Sequence, residues 1–122
     1  MDTLIQSNSS AQVGNNMDQC IKDCISCYGE CMSCIPHCLS IGGKHAVPKH
    51  ITLMMECAEM CQMSATFMQL KGQFAFEHCQ LCAKVCDACA ESCSSIDADD
   101  SMMQKCADFC RKCADSCRNM TH

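Results

Sequence analysis

Residues 20–38 read CIKDCISCYGECMSCIPHC, and the cysteines in this stretch are separated alternately by four and three residues. Residues spaced in this way lie along one face of an α-helix, and the alternation is the heptad rhythm by which helices pack in bundles and coiled coils. Thiols occupy the core positions that Leu or Ile usually fill. The stretch therefore predicts a helix whose buried face is a row of sulfur atoms, which we call a thiol seam.

The same rhythm recurs in the rest of the chain, which has 17 cysteines among 122 residues. Residues 79–93 and 106–117 each carry a full seam, and residues 57–61 begin a shorter one. Four seams predict an all-α protein, an antiparallel up-down-up-down four-helix bundle with a cysteine-lined core. The candidate metal ligands are Cys20, Cys24, Cys27, Cys31, Cys34, Cys38, Cys57, Cys61, Cys79, Cys82, Cys86, Cys89, Cys93, Cys106, Cys110, Cys113 and Cys117.

Turn-forming residues divide the chain into four predicted helices. We expect helix 1 over residues 16–41, with Asn16 as its N-cap, and helix 2 over residues 48–71, ended by Gly72. Helices 3 and 4 are expected over residues 73–94 and 101–119. The polar residues 1–15 are predicted to form a tail or a short docked helix, and residues 16–120 to form the metal-binding bundle domain.

A core lined with thiolates favours soft metal ions, namely Cu(I), Zn(II) or iron–sulfur clusters. Charge separates these candidates, because a buried thiolate is costly unless it is neutralised. Zinc held by four thiolates keeps two net negative charges, whereas about one Cu(I) per bridging thiolate gives a neutral core. We therefore expect storage and detoxification of many Cu(I) ions. A metallothionein-like zinc or mixed soft-metal buffer and a disulfide-stabilised structural bundle are the open alternatives.

The distribution of histidine and methionine predicts that the two ends of the bundle differ chemically. In an antiparallel bundle the end of helix 1, the start of helix 2, the end of helix 3 and the start of helix 4 meet. The candidate ligands for copper uptake at that end are His37, His50, Met54 and Met103. The residues expected to form a hydrophobic plug at the opposite end are Met17, Met68, Phe74, Phe76 and Met120. We expect His45 to lie on the surface and His78 to be structural.

The composition argues against several locations and partners. The N-terminal residues show neither the basic segment nor the apolar core of a signal peptide, and no apolar run of about 18 residues is present. We therefore expect a cytoplasmic protein with no membrane partner. A net charge of -5 without a basic block gives no support for nucleic-acid binding. The CxxC pairs lack the βαβ context of thioredoxin-like enzymes, so we expect no enzymatic activity.

Three long seams, an odd number of cysteines and an end that bears His and Met resemble the bacterial copper storage proteins, over residues 17–120. The motifs that carry this resemblance are CxxxCxxCxxxCxxCxxxC in helix 1, CxxCxxxCxxCxxxC in helix 3 and CxxxCxxCxxxC in helix 4. The resemblance implies cytosolic storage of many Cu(I) ions, assembly into homotetramers and uptake through an open end. Helix 2 departs from a full seam at Ser64 and Met68. Copper donors and acceptors are expected as partners, but the sequence does not identify them.

A second apolar stripe on two of the helices gives independent support for self-association. Helices that are apolar on more than one face are more often buried by a partner. The stripe on helix 1 consists of Ile21, Ile25, Tyr28, Met32, Ile35 and Leu39. The stripe on helix 2 consists of Leu53, Met60, Met63, Phe67 and Leu70.

Overall fold

The computed structural model describes residues 2–120, with side chains described from residue 16 onward. In this range the chain forms α1 (Asp2–Ile41), α2 (Pro48–Gln69), α3 (Ala75–Ile96) and α4 (Ser101–Arg118), with a 3₁₀ turn at Gly43–Ala46 between α1 and α2. The helices α1 and α3 each pack against both α2 and α4. The predicted all-α four-helix bundle is confirmed.

Side-chain contacts show that neighbouring helices run antiparallel. Cys20 of α1 contacts Cys117 near the end of α4, and Cys31 further along α1 contacts Cys106 near the start of α4. In the same way, α2 and α3 meet between the end of one and the start of the other, where Ser64 contacts His78. The order is therefore up-down-up-down, as the short connections require.

The first helix is longer than expected. It begins at Asp2 and not at Asn16, so the prediction that Asn16 caps it is wrong. The physical reason is that residues 2–15 contain no proline, and a single glycine such as Gly14 costs a helix only about 1 kcal/mol. The division of the chain into an N-terminal segment and a bundle domain stays a prediction.

Left-handed backbone conformations end two of the helices. Gly42 and Gly43 have φ angles of 77° and 56° and follow the last residue of α1, Ile41, where the helix was expected to end. At the end of α2, however, Lys71 and not Gly72 takes the left-handed position, with φ 53°. The amides of Lys71 and Gly72 bond back to the carbonyls of Met68 and Phe67, which is the Schellman pattern. The turn thus satisfies the last carbonyls of α2 despite the unfavourable residue.

The core consists almost entirely of cysteine, methionine and alanine side chains. All 17 cysteine side chains have no exposed surface, and so do the side chains of Met54, Met68 and Met103. Alanine directly follows the seam cysteine at positions 58, 83, 90, 107 and 114, and each of these alanines is buried. Small side chains at these flanking positions allow the helices to approach closely, so the thiols of four helices converge on one axis. Among residues 2–120, no helix combines the length and apolar character needed to cross a membrane.

Candidate metal site

The thiols form a continuous ladder along the bundle axis. All 17 cysteines are free, and the Sγ atoms of neighbouring helices lie close together, for example 3.7 Å apart between Cys27 and Cys110 and 3.6 Å apart between Cys61 and Cys86. A disulfide bond would bring two sulfurs to about 2.05 Å. The arrangement therefore offers thiols for coordination and does not show the alternative of a disulfide-stabilised core.

Twelve of the 17 thiols fall into four overlapping groups, and within each group the Sγ atoms lie within 4.8 Å of one another. These groups are Cys20, Cys79 and Cys117; Cys24, Cys82, Cys113 and Cys117; Cys27, Cys61, Cys86 and Cys113; and Cys27, Cys31, Cys57 and Cys110. Each group shares a member with the next, through Cys117, Cys113 and Cys27 in turn. The shared sulfurs connect these four groups into one continuous cluster.

The protonation of the thiols follows from their crowding. Contact with Cys113 raises the pKa of Cys24, whereas contact with Cys110 lowers the pKa of Cys27. Adjacent thiols are thus driven in opposite directions, because one can ionise only if its neighbour keeps its proton and donates to it. A row of thiolates forms in this dry core only when cations replace the protons.

One end of the ladder is built from nitrogen, sulfur and oxygen ligands, and we call it the mouth. It is formed by the end of α1, the 3₁₀ turn, the start of α2, the end of α3 and the start of α4. His50 Nε2 lies 3.6 Å from Cys38 Sγ, and its Nδ1 lies 2.7 Å from Ser92 Oγ. Ser92 therefore orients the ring so that its other nitrogen faces the thiol.

Burial determines the charge of the groups at the mouth. It lowers the pKa of His50 and raises the pKa of Cys38, mainly through desolvation in both cases. The imidazole is thus neutral near pH 7, which is the form that binds metal. The side chains of Met54 and Met103, also at this end, have no exposed surface.

His37 also lies at the mouth, where it contacts a carboxylate. Its Nε2 is 2.8 Å from Asp100 Oδ2. Although burial alone would raise the pKa of Asp100, the hydrogen bond to His37 and those from backbone amides lower it overall. The structure thus brings His50 to a thiol and His37 to a carboxylate, while the assignment of His37, His50, Met54 and Met103 as copper ligands stays a prediction.

His45 was expected on the surface, and this expectation is wrong. The residue is only 4% exposed, and its Nε2 lies 3.4 Å from a carboxylate oxygen of Asp97 and 3.4 Å from one of Asp100. Sequence periodicity could not find this contact, because His45 lies on the 3₁₀ turn and the two aspartates lie in the connection between α3 and α4. Several aspartates before α4 could be read from the sequence only as possible N-caps.

The opposite end of the ladder is closed. Ser64, fully buried at a seam position of α2, lies 2.7 Å from His78 Nδ1, and the Phe67 ring packs edge-on against that of His78 with centroids 4.9 Å apart. Met68 and Met120 are buried there as predicted. Phe74 is 63% exposed, so the prediction that it belongs to the plug is wrong. It lies just before α3 begins, outside the face that the helix buries.

Comparison with known proteins gives the family. A profile of the copper storage protein family matches residues 13–122. The chain belongs to this family, and the expectation drawn from the cysteine motifs is confirmed. Among curated protein sequences, none matches the chain significantly.

Solved structures of related proteins share the bundle. The Nmul_A1745 protein from Nitrosospira multiformis is 44% identical, with a TM-score of 0.82 over 88% of this chain and 95% of that one. The Cu(I)-bound copper storage protein BsCsp3 is 36% identical, with a TM-score of 0.80 over 88% of this chain and 99% of that one. A cytosolic copper storage protein from Streptomyces lividans with five coppers is 26% identical, with a TM-score of 0.79 over 90% and 95%.

Proposed function

We propose that the thiol ladder of this chain holds many Cu(I) ions and thereby serves copper storage and detoxification in the cytoplasm. The observation that carries this proposal is the sharing of Cys27, Cys113 and Cys117 between neighbouring thiol groups. BsCsp3 in its Cu(I)-bound form and the cytosolic S. lividans protein with five coppers support it by similarity. Storage by reversible coordination needs no catalytic step, and we propose no enzymatic activity.

Sharing of sulfurs favours a monovalent ion over zinc. If each thiolate bridges two metal ions and each ion takes two or three sulfurs, about one Cu(I) binds per thiolate and the buried core stays near neutrality. Zinc sites with four thiolates of their own would leave a double negative charge at each site. The zinc or mixed-metal buffer is therefore the disfavoured alternative.

Copper uptake through the mouth is the second part of the proposal. A Cu(I) ion arriving from solvent meets neutral soft or borderline ligands there before it meets the thiols, and His50 already lies against Cys38. Met54 and Met103 are buried at the same end and offer thioether sulfurs. We propose that these three residues pass the ion to the first thiols, with His37 acting beside them.

Assembly into a homotetramer is the third part. Several large apolar side chains of the single chain are about half exposed, including Ile25, Met32 and Leu39 on α1 and Met55 and Met63 on α2. Exposed apolar stripes on neighbouring helices are typical of surfaces that a partner covers. Sedimentation equilibrium of the reduced protein should give the mass of four chains, and a single-chain mass at micromolar concentration would contradict this part.

Proteins that donate copper to this chain or accept copper from it can be sought by pull-down with the copper-loaded protein.

Anaerobic titration of the fully reduced protein with Cu(I), against a chromophoric Cu(I) chelator, tests the storage proposal. We expect saturation at a copper-to-cysteine ratio of about one. Repeating the titration with protein pre-equilibrated with Zn(II) should give the same end point, since Cu(I) displaces zinc from thiolates. Saturation at only a few equivalents, or zinc that stays bound, would favour the zinc buffer instead.

A further inference from the structure

A second cluster of metal-binding groups lies at the mouth outside the thiol ladder. It joins His45 of the 3₁₀ turn to Asp97 and Asp100 of the connection between α3 and α4. One nitrogen and two carboxylate oxygens of these residues lie within 4.8 Å of one another. None of the three residues belongs to a seam, so storage of copper by thiols gives them no role.

The most informative atom of this cluster is His45 Nε2. The side chain of His45 is 5% exposed, and Nε2 has no hydrogen-bond partner among the described residues, although it lies 3.4 Å from both Asp97 Oδ2 and Asp100 Oδ2. A buried polar atom without a partner costs about 1–3 kcal/mol. A ligand that binds between the nitrogen and the two oxygens would remove this cost.

The carboxylates are held by the backbone through one oxygen each, which leaves the other oxygen directed at side chains. Asp97 Oδ1 accepts a hydrogen bond from the amide of Asp99, and Asp100 Oδ1 accepts hydrogen bonds from the amides of Met102 and Met103 at the start of α4. In both carboxylates Oδ1 therefore accepts hydrogen bonds from the backbone, and Oδ2 lies next to His45. His37 contacts Asp100 Oδ2 from the other side, as residues around a metal ligand commonly do.

We propose that His45, Asp97 and Asp100 bind one divalent cation of the zinc class at the mouth. Zinc–nitrogen and zinc–oxygen bonds of about 2.0–2.2 Å in a tetrahedron place neighbouring ligand atoms about 3.3–3.6 Å apart. Both distances from His45 Nε2 are 3.4 Å, so the nitrogen already has this spacing from each oxygen, and all three ligand atoms lie within 4.8 Å of one another. The fourth position is left for water.

Ligand chemistry separates this site from the thiol ladder. Two carboxylates and one imidazole are hard to borderline ligands, which suit Zn(II) and poorly suit soft Cu(I). Two carboxylates also neutralise a divalent charge, whereas a monovalent ion would leave one negative charge uncompensated. The bound ion would tie the 3₁₀ turn to the N-cap of α4 and so fix the two loops that frame the mouth.

The test uses protein first saturated with Cu(I), so that the thiols are occupied, and then titrated anaerobically with Co(II) as a spectroscopic probe and with Zn(II). We expect one further equivalent to bind, with Co(II) absorption of a nitrogen and oxygen site and no thiolate-to-cobalt charge transfer. His45→Gln should lower the affinity by at least about 100-fold, and His37→Gln by about 10–100-fold, the range typical of residues that orient a metal ligand.

Asp99→Asn is the control for loop charge, because it removes a carboxylate from the loop that carries Asp97 and Asp100, at an exposed residue that is not in the cluster. It should leave the affinity within about threefold of the original, since an exposed charge is largely screened. The helical far-UV circular dichroism of His45→Gln shows whether that variant is folded.

Three results would overturn the proposal. The first is binding of the probe by His45→Gln as tightly as by the original protein. The second is a thiolate charge-transfer band on addition of Co(II). The third is no further binding to the copper-loaded protein, which would make the cluster a structural contact between the two loops and not a metal site. None of these results bears on the Cu(I) capacity, so the storage proposal stands or falls separately.

Discussion

The two ends of the thiol ladder are built alike but differ in what the histidine faces. At each end a histidine of one central helix pairs with a serine of the other, His50 with Ser92 at the mouth and His78 with Ser64 at the closed end, both at 2.7 Å. At the mouth the second ring nitrogen lies against Cys38. At the closed end the serine itself occupies the seam position, and the Phe67 ring covers the histidine.

The His–Ser pairs at the two ends therefore have similar geometry but different surroundings. At the mouth the serine holds the imidazole in place for a thiol, which is an arrangement suited to passing a soft ion inward. At the closed end the hydroxyl of Ser64 stands where a thiol would lie, and the ring of His78 packs against Phe67 instead of facing a thiol. We therefore expect copper to enter through the mouth alone, and a comparison of variants at the two ends tests this expectation.

The largest expected effect is on the rate of copper uptake. The double variant His50→Ala with Met54→Ala should slow loading by about tenfold or more, the scale of loss when a metal ligand is disturbed, while capacity stays nearly unchanged. Stopped-flow mixing with a Cu(I) donor measures the rate. The matched variant at the closed end, Ser64→Ala with Met68→Ala, should load at the original rate, and equal slowing by both variants would remove the distinction between the ends.

The next effect concerns the stability of the mouth. Asp100 caps α4 through the amides of Met102 and Met103, whereas α3, which starts at the closed end, has no side-chain cap. Asp100→Ala should lower the free energy of unfolding of the copper-free protein by about 1 kcal/mol, as loss of an N-cap typically does. Asp100→Asn, which keeps a capping oxygen, should lose less. Denaturant unfolding under reducing conditions measures both, and equal losses would show that the charge and not the cap matters.

A smaller effect is expected on the Cu(I) capacity when one thiol is removed from the middle of the ladder or one is added at its closed end. Cys27→Ser, in the middle of the ladder, should lower the Cu(I) capacity by about one ion, because the nearly isosteric hydroxyl is a poor ligand for a soft ion. Ser64→Cys should raise the capacity by about one ion, since it completes the seam of α2 at the closed end. Copper analysis after gel filtration checks both numbers, and an unchanged capacity in Cys27→Ser would contradict the bridging arrangement.

The smallest effect is a pH dependence that the two ends share. Burial lowers the pKa of both His50 and His78 below the ordinary value of 6.5. The unfolded chain therefore binds more protons than the folded one below pH 6.5, so stability is full above this pH and falls as the pH drops towards the folded pKa values. His50→Gln and His78→Gln should each reduce the loss of unfolding free energy that is measured between pH 7 and pH 5. A slope that neither variant changes would show that other groups cause it.

Much of the fold could be predicted from the sequence, because cysteine is both the periodic residue and the buried one. The seam from Cys20 to Cys38 determined a helix, its buried face and its position in a bundle, and the structure buries every one of its thiols. Helix ends were less accurate, as at Lys71, where a Schellman turn uses a lysine in the conformation that glycine favours. The start of α1 at Asp2 was missed because polar residues without proline give no clear signal either way.

The site was predictable where it lies on helices and was not where it lies on loops. His50 could be placed beside the seam because it shares the helical register of Met54 and Cys57. His45 could not be placed, since its burial depends on how a 3₁₀ turn docks against a loop far away in sequence. The pairing of His37 with Asp100 likewise required the tertiary structure, because 63 residues separate them.

Crystals of the copper-loaded protein, with anomalous scattering recorded at the copper edge, test the central claim most directly. We expect copper along the whole ladder from Cys38 to Cys20, with Cys27, Cys113 and Cys117 each bridging two ions. Isolated metal ions held by four thiolates that share no sulfur, or copper confined to the mouth, would contradict it.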